Sequence, residues 1–307
     1  MQKFLLLILL AVSTTAQAWQ PTQPVQIIVA NPAGGSTDTI ARIIAEGMET
    51  RSRHRFIVVN RPGAQGVIGA RHVMNSLPDG HTLLLTGTTF LYANLLAVPN
   101  ADYDPVRGLT HVGLIGTVPT RLFARRGIDG DLASIVNQVR QGRDFTWGVT
   151  FAGAEFAARM IAQSTGKNIN IIRYNGSTQA YADVMGGHVD FILDSGTGGA
   201  IQEAVQSGRV RLMSTLDSRD RVSDSLDSIL PGIVNVGWFG LSLPSKTAPE
   251  VTKFYQDLLN EQLADSAIRN RLNQIMIQSP RSTSSERFSR IIEDDAKKFQ
   301  PIAHLLR

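Results

Sequence analysis

Residues 24–40 read PVQIIVANPAGGSTDTI, and this stretch indicates the class of fold that the rest of the chain completes. The apolar run at residues 25–29 predicts a buried strand, and the residues after the loop predict a helix. An apolar stripe at helical spacing supports that helix and is formed by Ile40, Ile43, Ile44 and Met48. A strand, a glycine-containing loop and a helix in this order are the beginning of an α/β fold.

The loop contains more special residues than a tight turn requires. Gly34 and Gly35 can take positive φ, and without side chains they let a ligand approach the main chain. Successive loop amides and the free N–H groups of a helix start form a site for an anion. The alternative is that Ser36 or Asp38 simply caps the helix. Capping and anion binding are compatible with each other. We predict that Thr37 or Asp38 begins the helix and that Asp38, whose carboxylate repels an anion, braces the loop.

Short β-branched runs and amphipathic helical stretches alternate along the chain. Strands are predicted at residues 25–29, 56–59, 82–85, 111–115, 146–149, 169–174, 189–194, 210–214 and 237–241. Helices are predicted between them, at residues 131–141, 155–164, 178–185 and 199–206. This order predicts an α/β fold of parallel-rich sheets covered by helices.

The strand–helix series is interrupted once and then repeated. Residues 116–120 (GTVPT) are predicted to cross from one lobe to the other, and residues 237–241 to return. We predict lobe one from residues 19–118 and 236–307, and lobe two from residues 119–235. Pro249 is expected to open a helix at its first position, and residues 283–304 to form another. Two crossings describe a hinge beside a cleft, where small ligands commonly bind.

The N-terminus has the pattern of a secretory signal peptide. Lys3 precedes an apolar stretch at residues 4–12, and the sequence then reaches Ala16-Gln17-Ala18, an A-x-A cleavage site. This apolar stretch is far shorter than the roughly 20 residues of a membrane-spanning helix. We therefore predict cleavage after Ala18 and a soluble protein exported to the periplasm.

The composition excludes several classes of function. The 307 residues include no cysteine, which excludes disulfides, thiolate metal sites and a cysteine nucleophile. The net charge of +4 comes from scattered residues, which argues against nucleic acid and slightly favours an anionic small ligand. The six histidines lack metal-ligand spacing, and no P-loop or G-x-S-x-G motif is present. We predict no catalytic residue, no metal and no cofactor.

Three loops of lobe two and one further loop of lobe one also follow a strand and precede a helix or a turn. They contain AGA at residues 152–154, RYNGST at residues 173–178, DSG at residues 194–196 and TGTT at residues 86–89. The carboxyl ends of parallel strands are where α/β folds bind ligands. The glycines after Asp194 also suggest a dinucleotide motif, but Ile201 occupies the third glycine position and weakens it.

Together these stretches resemble the periplasmic receptors of tripartite tricarboxylate transporters, the Bug family. The resemblance extends over most of the chain after the signal peptide and rests on PAGGSTD, VVNRPGAQGVIGA, PDGHTLLL, YDPVRGLTHVGLIG and INIIRYNGSTQAYADVMGGHVDFILD. It implies a two-lobed, type II periplasmic binding protein ("Venus flytrap") that binds a small carboxylate and performs no chemistry. The implied partners are that carboxylate and membrane transporter subunits, and the receptor itself is expected to be a monomer.

The resemblance also implies ligand-binding positions. In lobe one these are Ala33, Gly34, Gly35, Ser36, Thr37, Asp38, Thr86, Gly87 and Thr88. In lobe two they are Ala152, Gly153, Ala154, Tyr174, Gly176, Ser177 and Asp194.

One lobe-two loop departs from the family pattern. Family members carry hydroxyl side chains and a histidine before the lobe-two helix, whereas residues 151–156 of this chain read FAGAEF. The distal end of the pocket is therefore either less polar, or Glu155 pairs with an amine of the ligand. The alternatives to a transport receptor are a periplasmic sensor for a two-component system and an exported hydrolase.

Overall fold

The described part of the chain forms two five-stranded sheets with covering helices. The computed structural model describes residues 19–88, 104, 106–174, 177–196, 199–217, 225–230 and 236–299. The predicted signal peptide, Gly176 and the last residues of the predicted C-terminal helix lie outside these ranges. No helix within them is both long and apolar enough to cross a membrane.

The first sheet is built from the two ends of the described chain. Its strands are β1 (Val25–Val29), β2 (Phe56–Asn60), β3 (Thr82–Gly87), β4 (Leu109–Pro119) and β10 (Val236–Pro244). They lie in the order β2-β1-β3-β10-β4. Strand β1 is parallel to β2 and β3, and β10 is antiparallel to β3 and β4. Helices α1 (Ser36–Ser52) and α2 (Val67–Met74) connect its parallel strands.

The second sheet repeats this plan with the middle of the chain. Its strands are β5 (Arg121–Arg125), β6 (Thr146–Val149), β7 (Asn170–Arg173), β8 (Phe191–Asp194) and β9 (Val210–Thr215), in the order β7-β6-β8-β5-β9. Strand β6 is parallel to β7 and β8, and β5 is antiparallel to β8 and β9. The helices are α3 (Leu132–Arg140), α4 (Ala152–Thr165), α5 (Ser177–Gly186) and α6 (Gly199–Gln206).

Three helices after β10 complete the described chain. They are α7 (Pro249–Ala264), α8 (Ser266–Gln274) and α9 (Ser285–Phe299). Pro249 occupies the first turn of α7, as predicted, because its missing N–H is no loss there. Tyr255, Leu259 and Leu272 are fully buried in the core of the first sheet, so α7 and α8 are part of that half of the molecule.

The crossing between the sheets is sharper than the predicted one. Strand β4 extends through Pro119, which pairs with Val236 in the first sheet, and β5 begins at Arg121 in the second. The crossing is therefore Thr120 alone, and the first sheet continues one residue beyond the predicted lobe boundary. Pro119 is tolerated because β4 is an edge strand and needs no N–H at its end. The assignment of residues to two lobes remains a prediction.

An apolar cluster connects the two halves. Phe156 of α4 packs with Trp238 of β10 and with Phe288 and Ile292 of α9. Phe156 is 1% exposed, and the rings of Trp238 and Phe288 meet edge to face at 5.2 Å. The residue after Glu155 in the divergent FAGAEF stretch is thus buried against elements of the first sheet.

Candidate functional site

The first loop connects β1 to α1. Helix α1 begins at Ser36, one or two residues before the prediction, with Gly35 as N-cap in an extended conformation (φ −80°, ψ 171°). Of the two glycines, only Gly34 has positive φ, at +84°. Ala33, Gly34 and Gly35 are exposed, and no side chain caps the helix. The first-turn N–H groups of α1, including those of Thr37 and Asp38, therefore have no side-chain cap.

Asp38 braces this loop, as expected. Its carboxylate accepts hydrogen bonds from Gly34 N–H (3.0 Å), Asn60 Nδ2 (3.0 Å) and Arg42 Nε and Nη2 (2.9 and 3.1 Å). Burial raises the pKa of Asp38, but the bonds from Arg42, Gly34 and Asn60 outweigh it, and the pKa is lowered overall. The carboxylate therefore fixes the glycine loop to the end of β2, and its oxygens are used within the protein.

The loop after β3 is fixed to β10. Thr86 and Gly87 lie in β3, opposite Gly240 and Phe239 of β10. The hydroxyl of Thr88 accepts a hydrogen bond from Trp238 N–H at 2.7 Å. Thr86 and Thr88 are buried. These predicted contacts lie at the carboxyl end of β3, but the Thr88 hydroxyl positions a strand.

The corresponding helix start in the second half is α4. It begins at Ala152, three residues before the prediction, with Phe151 as N-cap and no side-chain cap. Gly153 and Ala154 are buried, so the first turn is small and apolar. The uncapped start matches that of α1, and both helices follow the carboxyl end of a central parallel strand.

Some helices begin with a capping side chain and others do not. Helix α3 has an N-cap side chain, because Asp131 accepts from Ser134 N–H at 2.8 Å, and α8 has one in Asp265, which accepts from Ala267 N–H at 2.8 Å. Helices α1, α2 and α4, which follow parallel strands, begin without one, and so does α7, whose N-cap residue is Ala248. The starts of α1 and α4 at the predicted ligand edge thus lack an N-cap side chain, and the positive partial charge of a helix start favours an anion.

Asp194 joins the loops of the second sheet. It is 1% exposed, and its carboxylate accepts from Ser177 Oγ (2.8 Å), Gly196 N–H (2.7 Å) and the hydroxyls of Thr150 and Tyr181. Burial and the neighbouring Asp194 charge raise the pKa of Tyr181. Its four protein donors give Asp194 the same bracing role as Asp38, and its predicted contact with a ligand stays a prediction. The Ser177 hydroxyl serves this brace as well.

Tyr174 points into the protein. Its hydroxyl donates to Asp183 Oδ2 at 2.7 Å, and its ring packs in the core with Tyr181. Burial, followed by the bond to Asp183, raises the pKa of Tyr174. The hydroxyl of Tyr174 is therefore bonded within the protein, and the contribution of this residue to ligand binding stays a prediction.

Sequence reasoning missed an ion cluster beside the start of α4. Glu155 accepts from Arg159 at 2.7 Å and 2.9 Å and from Arg173 at 2.5 Å and 2.7 Å. The 155/159 spacing is that of a helical ion pair and was a visible signal. Both carboxylate oxygens of Glu155 thus accept hydrogen bonds from arginines of the protein.

Potential metal ligands are not clustered in the part of the chain that the structure describes. Within the described ranges, no three His, Asp or Glu side chains are grouped closely enough to hold a metal ion. The buried His111 bonds to Ser242 and Val106, and burial lowers its pKa to about 4. Its role is to connect β4 with β10.

Comparisons with known proteins identify the family. The model of the tripartite tricarboxylate transporter family receptor matches residues 40–306. The chain is 31% identical over 259 residues to protein BugT of Bordetella pertussis (strain Tohama I), covering 81% of this chain and 78% of BugT.

Two solved structures share the fold. MatC (Rpa3494) from Rhodopseudomonas palustris with bound malate superposes with a TM-score of 0.79 at 23% identity, covering 92% of this chain and 100% of that chain. R. palustris Rpa4515 with adipate superposes with a TM-score of 0.80 at 22% identity, covering 93% of this chain and 98% of that chain. The two-sheet α/β architecture is thus shared with these two structures. The match to the family model shows that the chain belongs to the tripartite tricarboxylate transporter receptor family.

Proposed function

We propose that this protein is a periplasmic receptor that captures a small carboxylate between its two halves and delivers it to a membrane transporter. The observation that carries the proposal is the pair of uncapped helix starts, α1 and α4, at the carboxyl ends of parallel strands in the two sheets. Main-chain N–H groups at a helix start bind a carboxylate without a charged side chain.

The two bracing aspartates support this function. A free carboxylate beside either helix start repels an anionic ligand, but both Asp38 and Asp194 have their oxygens directed to protein donors. Because they fix the loops beforehand, less conformational entropy is lost when the ligand binds. Contact of one ligand with both halves favours the closed state.

The relatives support the ligand class. MatC is described with bound malate and Rpa4515 with adipate, both small dicarboxylates. The proposed location follows from the export signal, with cleavage after Ala18 remaining a prediction. This proposal also includes the predicted ligand contacts of both loops, the monomeric state and the transporter partner.

A substitution at Gly35 tests the site. Gly35 has φ −80°, which any residue adopts, and a Cβ there meets only Pro32 O at 3.7 Å. We expect Gly35→Val to fold normally and to lose carboxylate binding, because its side chain covers the helix start. The ligand is first found by thermal-shift screening of a carboxylate panel, and affinity is then measured by calorimetry. Unchanged affinity in a folded variant contradicts the anion site.

The transport role needs its own test. Deleting the gene is expected to abolish uptake of the ligand so identified, and the Gly35→Val variant is expected not to restore it. Normal uptake combined with loss of a transcriptional response to the ligand favours the sensor alternative.

A further inference from the structure

We propose that Arg173, positioned by Glu155 and with its charge preserved by Arg159, selects ligands that carry a second carboxylate at the end distant from the α1 loop. This inference rests on the proposed function and specifies its ligand class. It concerns the FAGAEF stretch, where the chain departs from the family pattern.

The three side chains form one bonded unit. Glu155 Oε1 accepts from Nε and Nη2 of Arg159 (2.9 and 2.7 Å) and from Nη2 of Arg173 (2.5 Å), and Oε2 accepts from Nε of Arg173 (2.7 Å). Arg173 thus engages Glu155 side-on through two of its nitrogens. This two-point contact fixes the plane of the guanidinium group.

The unit keeps one positive charge. Two guanidinium groups face one carboxylate, and Glu155 is 9% exposed. Burial raises the pKa of Glu155, but the bonds from Arg173 and Arg159 lower it overall, so the group is ionised at neutral pH. Because Arg159 compensates the charge of Glu155, the charge of Arg173 remains available to an external anion.

Arg173 also keeps free donors. Its bonds to Glu155 use Nε and Nη2, and Nη1 has no acceptor among the described residues. The side chain of Arg173 is 63% exposed, against 30% for Arg159. The outer face of the guanidinium group can therefore bind a carboxylate while the inner face stays on Glu155.

The position of Arg173 places this charge at the ligand edge. Arg173 is the last residue of β7 and lies in register with Val149 of the parallel strand β6. The loop after β6 leads to the start of α4, and Tyr174 directly follows Arg173; both were predicted to contribute to ligand binding. A helix start and a guanidinium group at one edge are both suited to an anion and unsuited to an ammonium group.

A matched pair of ligands tests the inference. Adipate and hexanoate have the same chain length and differ in the second carboxylate, and affinities for both are measured by calorimetry. We expect wild type to prefer adipate, and Arg173→Gln to weaken adipate binding by about 10-fold or more with less than about a twofold change for hexanoate. Arg173→Lys, which keeps a point charge, is expected to retain part of the preference. Succinate with butyrate forms a second pair, for a shorter ligand.

The Arg159→Gln variant tests the effect of the net charge of the unit separately from that of direct contact with the ligand. This variant cancels the net charge of the unit without removing Arg173, so we expect the adipate preference to fall several-fold although Arg159 is not proposed to touch ligand. Arg209→Gln is the control, because Arg209 is also an exposed arginine of the second half paired with a glutamate, Glu203. It is expected to leave both affinities unchanged, and thermal unfolding verifies that each variant is folded.

The outcomes distinguish the inference from the proposed function. If wild type binds a monocarboxylate or an amino acid as tightly as the matched dicarboxylate, or if Arg173→Gln weakens both equally, the inference is wrong and the receptor function stands. If no carboxylate of the panel binds to wild type, the proposed function fails, and the inference fails with it.

Discussion

Asp38 is the residue on which the first loop depends most. It bonds the glycine turn, Arg42 and Asn60 at once while 3% exposed. We expect Asp38→Asn to lower the free energy of unfolding at pH 7 by about 2 kcal/mol, because it breaks a buried charge-assisted network. Urea unfolding of wild type and variant at pH 7 measures this difference.

The same residue predicts a pH dependence. The folded-state pKa of Asp38 lies below its ordinary value of 3.8, so its contribution is complete above that value and is lost as pH falls through the folded pKa. The stability difference between wild type and Asp38→Asn is therefore expected to shrink below about pH 4. A difference that stays constant from pH 7 to pH 3 shows that ionised Asp38 does not stabilise the loop.

Gly34 and Gly187 form a matched pair for the backbone. Both have positive φ (+84° and +80°), and a Cβ at either meets nothing within 4 Å. Gly34→Ala and Gly187→Ala are each expected to lose about 1 kcal/mol of stability from strain. Only Gly34→Ala is expected to weaken carboxylate binding, which calorimetry on both variants measures. Equal affinities in the two variants argue against a ligand at the first loop.

At the scale of elements, a helix start without a capping side chain is less stable, and we expect its N–H groups to bind the ligand instead of a cap. Gly35 already has the extended conformation of an N-cap residue, so Gly35→Asp installs the missing cap. We expect it to stabilise the fold by about 0.5 kcal/mol and to abolish carboxylate binding, because its side chain occupies the same N–H groups. Asp131→Ala is the control on α3, expected to lose about 1 kcal/mol without changing affinity. The melting temperature measures the change in stability, and calorimetry measures the change in carboxylate affinity.

Prediction from sequence succeeded where local pattern decides the element. The strands at residues 25–29 and 146–149 and the helix at 199–206 were predicted with the observed bounds. Strand β5 was missed because Arg121 begins it and Pro119-Thr120 precede it, which suggested a connection; Arg121 is nevertheless buried and bonds Ser195 O. The starts of α1 and α4 were placed late because neither has a capping side chain to mark it.

The sequence predicts which loops follow parallel strands, but it does not predict the hydrogen-bond partners of the side chains in those loops. The order of strands and helices along the chain indicates which loops follow parallel strands. The partners that occupy Asp194 and Tyr174, among them Thr150 and Asp183, are decided by packing between segments distant in sequence. Similarly, Arg159 is one helical turn from Glu155, whereas Arg173 reaches it from another strand.

At the scale of the whole molecule, the cluster around Phe156 joins the halves. We expect Phe156→Ala to lower the free energy of unfolding by about 3 kcal/mol, because a large side chain is removed between Trp238 and Phe288. Phe254→Ala, at the partly buried margin of the first core, is the control and should cost less. Denaturant unfolding followed by tryptophan fluorescence compares them, and equal losses contradict a special role for the cluster.

The place of β10 between β3 and β4 governs the order in which the protein can fold. That strand is synthesised after the whole second sheet, and until it arrives β3 has an unpaired edge open to other chains. The first half therefore cannot complete its sheet until residues 236–244 have been synthesised, and its long-range pairing is expected to be slow. Pulse-labelled hydrogen exchange during refolding should show amides of β4 protected later than those of β6. Earlier protection of the β4 amides would contradict this order of folding.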